Sequence, residues 1–298
     1  MDSLLEPEER LSEEQLLRAP WGSLGRSLTL GVVAWGCKML LSVGNTITFE
    51  GRADFLQHTM ERPPGLGLIT VSNHTSTLDD PALFSAILPL SYFFTEHQHG
   101  GMRWTLCAKE LCYKNALLGQ FFQSGKTLPI ERGVGLDQLS LRSMGRAVGR
   151  GDWLHLFPES RVNYTGTLGT LRWGVGKVIC DAMRHSGGRQ PTVLPFYHTG
   201  MGEVMPYRAV VPSVGRWVHI LVGQPVELED ISCRCNRPGH DQKQVWRELT
   251  ARIGQALQDL EARAPPNLEQ PEGVKRHGGT PRALAVGAPA AGEGAVPV

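Results

Sequence analysis

The sequence predicts an α/β fold: a single domain with a mixed, largely parallel central sheet flanked by helices. Two observations predict it. Short runs rich in β-branched and aliphatic residues alternate along the chain with longer runs of helical periodicity, and such alternation is typical of α/β domains. The chain has 298 residues, 41% of them hydrophobic, which is enough to bury one large core.

The predicted elements follow from these two periodicities. Strand-like runs lie at 46–50, 68–73, 104–109, 126–130, 153–157, 192–197 and 217–223. Helical periodicity is best at 137–150, 172–185 and 243–263. We therefore expect one globular domain over residues 44–263.

The segment 22–43 predicts an N-terminal helix of a different kind. It is apolar, but only eleven uncharged residues separate Arg26 from Lys38. These make about 17 Å of helix against a hydrocarbon core of roughly 30 Å, so we do not expect a membrane span. We favour a helix that lies in the membrane interface over one packed in the core. Its apolar stripe at intervals of three and four comprises Leu24, Leu28, Val32, Trp35 and Met39.

The chain ends and the charge balance add further expectations. Residues 1–21 carry six acidic side chains, which argues against a cleaved transit peptide. Residues 264–298 contain 19 Ala, Gly or Pro among 35, a composition that predicts a disordered tail. The formal net charge of +1 gives no argument for nucleic acid as a partner, so we expect none.

The six cysteines suggest neither a disulfide framework nor a metal site. They are scattered through a chain without a secretory signal, so we expect them to be reduced. Cys233 and Cys235 form a C-x-C pair close to His240, but no second pair completes a metal site of usual spacing. We therefore predict no bound metal.

The stretch "SNHTSTLDDP", residues 72–81, holds the first candidate site. It follows a strand-like run and precedes a helix, which we expect Asp80 to cap with Pro81 in the first helical position. In such a turn Asp79 can accept a hydrogen bond from His74 and form a general-base dyad. The alternative is an ordinary turn, in which an aspartate only caps the helix and His74 is a surface residue.

Two further segments place polar groups after strands. In "KTLPIERG", residues 126–133, Arg132 can hold a phosphate, although a surface ion pair is the simpler interpretation. In "GDWLHLFPESRVNY", residues 151–164, Glu159, Arg161 and Asn163 follow an apolar strand. The carboxyl ends of strands are where open α/β sheets place ligands, so these groups fit a site at His74. An ordinary solvated turn is the alternative.

Several function classes find no support. The sequence lacks the Gly-x-Ser-x-Gly elbow of hydrolases, the phosphate-binding loop of nucleotide hydrolases and the dinucleotide fingerprint of dehydrogenases.

Four blocks in this order resemble the motif blocks of the glycerophospholipid acyltransferase family, and most closely its tafazzin branch. The blocks are "SNHTSTLDDP", "GKTLPIERG", "RGDWLHLFPESRVN" and "TVLPFYHTGMGEVMP". The stretches "LRWGVGKVI" and "VHILVGQP" also resemble that branch. The resemblance covers about residues 45 to 225 and implies the family's α/β fold and its acyl-transfer activity.

Carried over to this chain, the resemblance implies that His74 is the catalytic base and Asp79 its partner. It also implies that Arg132 and Glu159 bind the glycerophosphate part of the acceptor, with Arg161 where tafazzins have lysine. The family's Phe-Pro-Glu-Gly has Ser160 in place of glycine. That difference casts doubt on a positive φ there, because a serine in that conformation is strained.

The resemblance further implies the substrates and the location. Tafazzin-like chemistry is reversible acyl transfer between phospholipids and lysophospholipids, monolysocardiolipin among the acceptors, without a soluble cofactor. Acylation of the amine of phosphatidylethanolamine and acyl-CoA as donor are the alternatives. The implied location is a mitochondrial membrane, inner or outer, facing the intermembrane space. Monotopic attachment is expected, and the endoplasmic reticulum is the alternative location. A further hypothesis is a membrane-binding scaffold without catalytic activity. Only the departure from the family motif at Ser160 favours it.

Overall fold

A computed structural model describes residues 7–94 and 101–265 and confirms the α/β architecture. The helices are α1 (Pro7–Leu17), α2 (Gly22–Ser42), α3 (Arg52–Met60), α4 (Asp79–Ile87), α5 (Lys109–Cys112), α6 (Ala116–Ser124), α7 (Leu139–Gly149), α8 (Gly174–His185), α9 (Met201–Val204), α10 (Glu229–Ser232) and α11 (Gln242–Arg263). The strands are β1 (Thr46–Glu50), β2 (Leu68–Ser72), β3 (Thr105–Ala108), β4 (Thr127–Ile130), β5 (Trp153–Leu156), β6 (Thr192–Thr199) and β7 (Trp217–Val222). The predicted disordered tail falls almost entirely on residues 266–298, outside the described residues.

The sheet is mixed and largely parallel. Its five strands have the order β1-β7-β6-β2-β5, and only the β6–β7 pair is antiparallel. Strands β3 and β4 form a second parallel pair, which a parallel bridge from Trp104 to Leu154 joins to β5. Because β6, β2, β5, β3 and β4 run in the same direction, their carboxyl ends meet at one edge, where such sheets place ligands.

The position of β2 in the core explains why its sequence is almost continuously apolar. All five residues of β2 are buried, as expected for a central parallel strand covered by helices on both faces. An aromatic cluster of Phe55, Phe84, Trp153 and Phe196 packs beside it, with the rings of Phe84 and Trp153 edge to face at 5.2 Å. Edge-to-face packing adds to the burial energy of these large side chains.

Helix α2 packs on the domain with one face and exposes the other. Ala34 and Leu41 are buried in the core, and Nζ of Lys38 donates to the carbonyl oxygens of Ser85 and Leu88 in and after α4. By length and composition α2 is the one described helix that could cross a membrane, but crossing would break these contacts with α4. The stripe predicted from the sequence is the exposed face: Leu24, Leu28, Val32, Trp35 and Met39.

The predicted start of α4 is wrong. The helix begins at Asp79, so that Pro81 is its third residue, and Leu78 occupies the capping position without a side-chain hydrogen bond. Asp80 instead pairs with the nearly buried guanidinium of Arg103. The turn before α4 is held by the Asp79 carboxylate, which leaves Asp80 free to face Arg103.

The prediction that all cysteines are reduced is also wrong for four of them. Disulfides join Cys107 to Cys112 and Cys180 to Cys235. The second bond ties α8 to the segment after α10. Sequence spacing could not reveal the Cys180–Cys235 pair, because the fold brings together two cysteines that lie 55 residues apart. Among the described residues, the free cysteines are Cys37 and Cys233.

The longer disulfide loop should contribute more stability. A bond that closes a 55-residue separation should stabilise the fold by about 4 kcal/mol, because it restricts the unfolded chain, and one that closes a five-residue separation by about 2 kcal/mol. We expect Cys180→Ala to lower the free energy of unfolding in urea more than Cys107→Ala does. Cys233→Ser, which removes an exposed free thiol, is the control. Equal effects of all three substitutions would contradict the assignment.

Candidate active site

His74 and Asp79 form the predicted dyad at the carboxyl end of β2. Nδ1 of His74 lies 3.0 Å from Oδ2 of Asp79, and the carboxylate is fully buried. Because the carboxylate only accepts hydrogen bonds, we assign the ring proton to Nδ1, which leaves the lone pair on Nε2. The alternative in which His74 is an unrelated surface residue is therefore excluded by the geometry.

The Asp79 carboxylate also fixes the turn that carries the histidine. The same Oδ2 accepts the backbone N–H of Thr75 at 2.6 Å and that of Ser76 at 2.9 Å. These three donors on one oxygen fix the carboxylate in place at the start of α4. The side chain that orients His74 is thus held rigidly by the backbone beside it.

The ring of His74 is stacked yet accessible. It lies on the ring of Phe157, with centroids 3.8 Å apart and planes 13° from parallel. The side chain retains 17% of its exposure, and Nε2 has no hydrogen-bond partner among the described residues. The stacking fixes the ring plane, and Nε2 is open to a proton donor on a substrate.

Glu159 lies beside His74, and both of its carboxylate oxygens accept hydrogen bonds from other groups of the protein. Oε1 accepts the backbone N–H of His74 at 2.9 Å. Oε2 accepts the side chain of Asn163 at 2.9 Å and the backbone N–H of Gly169 at 2.8 Å. A side chain at Gly169 would collide with this carboxylate, since an added Cβ would lie 2.5 Å from Oε2. In this structure the buried Glu159 holds the loop after β5 against the turn that carries His74.

The rest of the third block completes that loop. The backbone N–H of Asn163 donates to the carbonyl oxygen of His74 at 2.6 Å, so Asn163 is also tied to the dyad. Arg161 is exposed in the same turn. Ser160 has φ 59°, so the positive φ persists even though serine replaces the family's glycine. Serine therefore adopts the left-handed backbone conformation at position 160, and this conformation costs about 1–2 kcal/mol.

Arg132 lies further along the same edge. Three strand spacings separate the ends of β2 and β4, roughly 14 Å. Its guanidinium is half-exposed and lies 3.1 Å from Glu110. A cleft at the ends of β3 and β4 is lined by Lys109, Glu110, Tyr113, Lys114, Glu131 and Arg132. An exposed ion pair of this kind is worth 0 to about 1 kcal/mol, so an anionic ligand could readily replace Glu110.

Two buried histidines near the dyad were missed by the sequence reasoning. Nε2 of His198 lies 3.0 Å from the carbonyl oxygen of Asn73 and 3.5 Å from Oδ2 of Asp79. Nδ1 of His155 lies 3.0 Å from Oγ1 of Thr70. Both histidines sit inside apolar strand patterns, and the only available signal was a titratable residue at an otherwise apolar position.

Burial favours the neutral form of both rings. Desolvation lowers the pKa of His198, and the nearby Asp79 only partly opposes that effect. Desolvation, followed by the charge of Arg103, lowers the pKa of His155 well below its usual value. In the unfolded chain both rings would titrate near their ordinary pKa of about 6.5.

This difference predicts an acid-sensitive fold. Below about pH 6.5 the unfolded state binds protons that the folded state excludes, so stability should fall as the pH is lowered. Each buried ring should contribute up to about 1.4 kcal/mol per pH unit. Urea unfolding between about pH 7.5 and 5 should show a shallower slope for His155→Gln than for the wild type. The exposed His240 provides the control: His240→Gln should keep the wild-type slope, and an unchanged slope in His155→Gln would refute the assignment.

Comparisons with known proteins show the family of this chain. The acyltransferase family profile matches residues 54–199, from α3 to the end of β6. The chain is 32% identical to the tafazzin of Drosophila melanogaster over 226 residues, which cover 76% of this chain and 57% of the fly protein. It is 32% identical to the N-acylphosphatidylethanolamine synthase of Arabidopsis thaliana (70% and 72% covered) and 33% identical to the tafazzin of Dictyostelium discoideum (65% and 67% covered).

The matched region contains His74, Asp79, Arg132 and Glu159, and the structure brings three of these four into direct contact. The chain therefore belongs to the acyltransferase family, in the tafazzin branch of its glycerophospholipid acyltransferases.

Proposed function

We propose that this protein is a phospholipid acyltransferase or transacylase that moves a fatty acyl group to a lysophospholipid, with His74 as the general base. The observation that carries the proposal is the dyad: an accessible Nε2 on a ring held by a buried carboxylate 3.0 Å from Nδ1. Family membership supports the reaction class. We place the catalytic machinery in a domain of residues 44–263, with α2 packed on it.

The dyad can move the one proton that the reaction requires. A lysophospholipid hydroxyl donates to Nε2 of His74, loses its proton as its oxygen attacks the acyl carbonyl, and becomes an ester. Asp79 stabilises the resulting imidazolium through Nδ1. The bond from the carbonyl carbon to the donor oxygen breaks, and the departing lysophospholipid oxygen takes the proton from Nε2. The ring returns to its starting state without a cofactor.

The identity of the donor decides whether the second proton step is needed. The alkoxide of a lysophospholipid is strongly basic and requires the proton from the imidazolium, whereas the thiolate of coenzyme A can leave without it. We propose phospholipid as the donor, as in the tafazzins that this chain resembles, with monolysocardiolipin among the acceptors. Acyl-CoA is the alternative donor.

The positions of Arg132 and Arg161 support a role in binding the acceptor's phosphate. Both are exposed at the edge of the sheet that carries His74, and Arg132 lines a cleft with Lys109 and Lys114. Guanidinium groups bind phosphate through paired hydrogen bonds. We propose that Glu159 and Asn163 serve the acceptor indirectly, because their bonds hold the loop that carries Arg161.

The Arabidopsis relative supports a second candidate function. It is named for making N-acylphosphatidylethanolamine, and the match covers 72% of its length. An amine could replace the hydroxyl as the group that donates its proton to His74. The geometry of the dyad is the same in both reactions, so the head group of the acceptor distinguishes them.

We propose monotopic attachment to a mitochondrial membrane facing the intermembrane space, with the endoplasmic reticulum as the alternative. The exposed apolar stripe of α2 and the packing of its inner face on α4 support monotopic attachment, and the resemblance to tafazzins supports the mitochondrial location. Alkaline carbonate extraction combined with protease access would test attachment. Protease protection that differs between the two ends of α2 would favour a span instead.

Loss of the general base should abolish most of the activity. We expect His74→Ala to lower kcat by about 10²- to 10⁴-fold, the usual contribution of general-base catalysis. Asp79→Asn should also lower kcat, because an amide cannot stabilise the imidazolium as a carboxylate does. His240→Ala, at an exposed site, is the matched control. A folded His74→Ala protein with near-normal acyl transfer would exclude the dyad as the catalytic centre.

One assay separates the candidate reactions. Purified protein is incubated with a panel of lysophospholipids and phosphatidylethanolamine, with either acyl-CoA or intact phospholipid as donor, and the products are identified by mass. We expect ester products with phospholipid as donor. An N-acylated product would favour the second candidate, and no acyl transfer with any pair would overturn the proposed function.

Replacing Arg132 should weaken binding of the acceptor and leave the rate of the chemical step almost unchanged. Removing one charged hydrogen-bond donor costs about 1.5–3 kcal/mol, so we expect Arg132→Gln to raise the KM for the lysophospholipid by about 10- to 100-fold with little change in kcat. Arg142→Gln is the control, because that arginine pairs with Asp137 beyond the cleft. An unchanged KM in the Arg132 variant would remove the residue from the binding site.

A further inference from the structure

The loop between α9 and β7, residues 205–216, exposes a small apolar patch. Val210 is 89% exposed, Val211 75% and Val214 65%. Single exposed apolar residues are common on protein surfaces, but three within five positions form a patch. Nothing in the proposed chemistry uses these valines.

This valine patch continues the exposed stripe of α2. The backbone N–H of Gly215 donates to the carbonyl oxygen of Gly44 at 2.7 Å, and that of Arg216 donates to Oδ1 of Asn45 at 2.8 Å. Val214 lies so close to Gly44 that an added Cβ there would be 3.1 Å from it. The loop is therefore fixed to the end of α2, next to the exposed Val43.

The other end of the loop reaches the active site. Tyr207 packs on Tyr164, with ring centroids 4.7 Å apart. Tyr164 follows Asn163, whose backbone N–H is bonded to the carbonyl oxygen of His74. The loop thus runs from the segment after α2 to Tyr164, which adjoins the residue bonded to His74.

The charges of this surface favour anionic head groups. Helix α2 and residues 205–216 contain no Asp or Glu. The loop carries Arg208, which is exposed, and Arg216, which is half-buried. Cations that flank apolar side chains suit a bilayer with acidic lipids, since they remain in the head-group layer while the apolar groups insert.

We propose that residues 205–216 form a second bilayer-contacting segment, which inserts Val210, Val211 and Val214 beside α2 and holds the mouth of the His74 site against the lipid surface. The choice of a bilayer as the partner rests on the proposed function, because the substrates are themselves bilayer components. Two contacts, one along α2 and one beside the site, would fix the orientation of the domain on the membrane. The carboxyl edge of the sheet would then face the lipids.

The test uses the full chain with the substitutions Val210→Asp and Val211→Asp together. Sedimentation with vesicles of phosphatidylcholine and phosphatidylglycerol should show at least a tenfold loss of binding, since two charges replace inserted apolar groups. Acyl transfer on vesicle substrates should fall to a similar extent. Transfer on substrates dispersed in detergent should stay within about twofold of the wild type. Unchanged vesicle binding would overturn the proposal.

The matched control is Met60→Asp, an exposed apolar residue at the end of α3, before β2 and so at the opposite edge of the sheet. It should bind vesicles like the wild type, and an equal loss there would show that the effect is not specific to the loop. A double variant that is folded by circular dichroism but inactive in detergent would assign the valines to the site itself. A change from dimer to monomer with normal vesicle binding would assign the patch to a second copy of the chain. Both results overturn the proposal.

A second variant avoids introducing charge. Val210→Ser with Val211→Ser should weaken vesicle binding in the same direction but less strongly, and normal binding by this variant would also count against insertion. Vesicle binding requires no catalysis, so the two proposals can fail separately. A wild-type protein that binds vesicles through the loop but transfers no acyl group would overturn only the proposed function.

Discussion

The buried carboxylate of Asp79 is the constraint on which the site depends. One oxygen accepts the imidazole of His74 and the backbone N–H groups of Thr75 and Ser76. It therefore fixes the turn, the start of α4 and the tautomer of His74 together. Hydrogen-bond donors on that oxygen offset part of the cost of burying a polar group so deeply. Losing any of these donors would disturb the turn that carries His74.

The sheet converts this local turn into a site. Parallel strands end at one edge, so the loops after β2 and β5 meet, and Glu159 bonds the backbone of His74 from the neighbouring loop. Phe157 reaches the imidazole ring from the same strand end. Residues more than 80 positions apart thus cooperate because of strand order. Arg132 and Arg161 lie exposed along the same edge.

The structure shows how the third motif block is built where this chain departs from the family pattern. Ser160 keeps a positive φ that glycine would adopt at less cost. Glu159, implied by resemblance to bind substrate, is occupied by protein donors in this structure. These bonds hold the loop after β5 against the turn that carries His74. The buried His198 and His155 add a neutral polar layer behind the dyad.

The sequence by itself determined the α/β class, the position of each strand, the exposed stripe of α2 and the dyad, because these depend on local periodicity and on two residues in one turn. Only the tertiary structure decided the strand order, the disulfide between Cys180 and Cys235, the partner of Asp80 and the bonds of Glu159. Those features join residues far apart in the chain. Sequence periodicity records which face of an element is apolar, but it does not record which distant element covers that face.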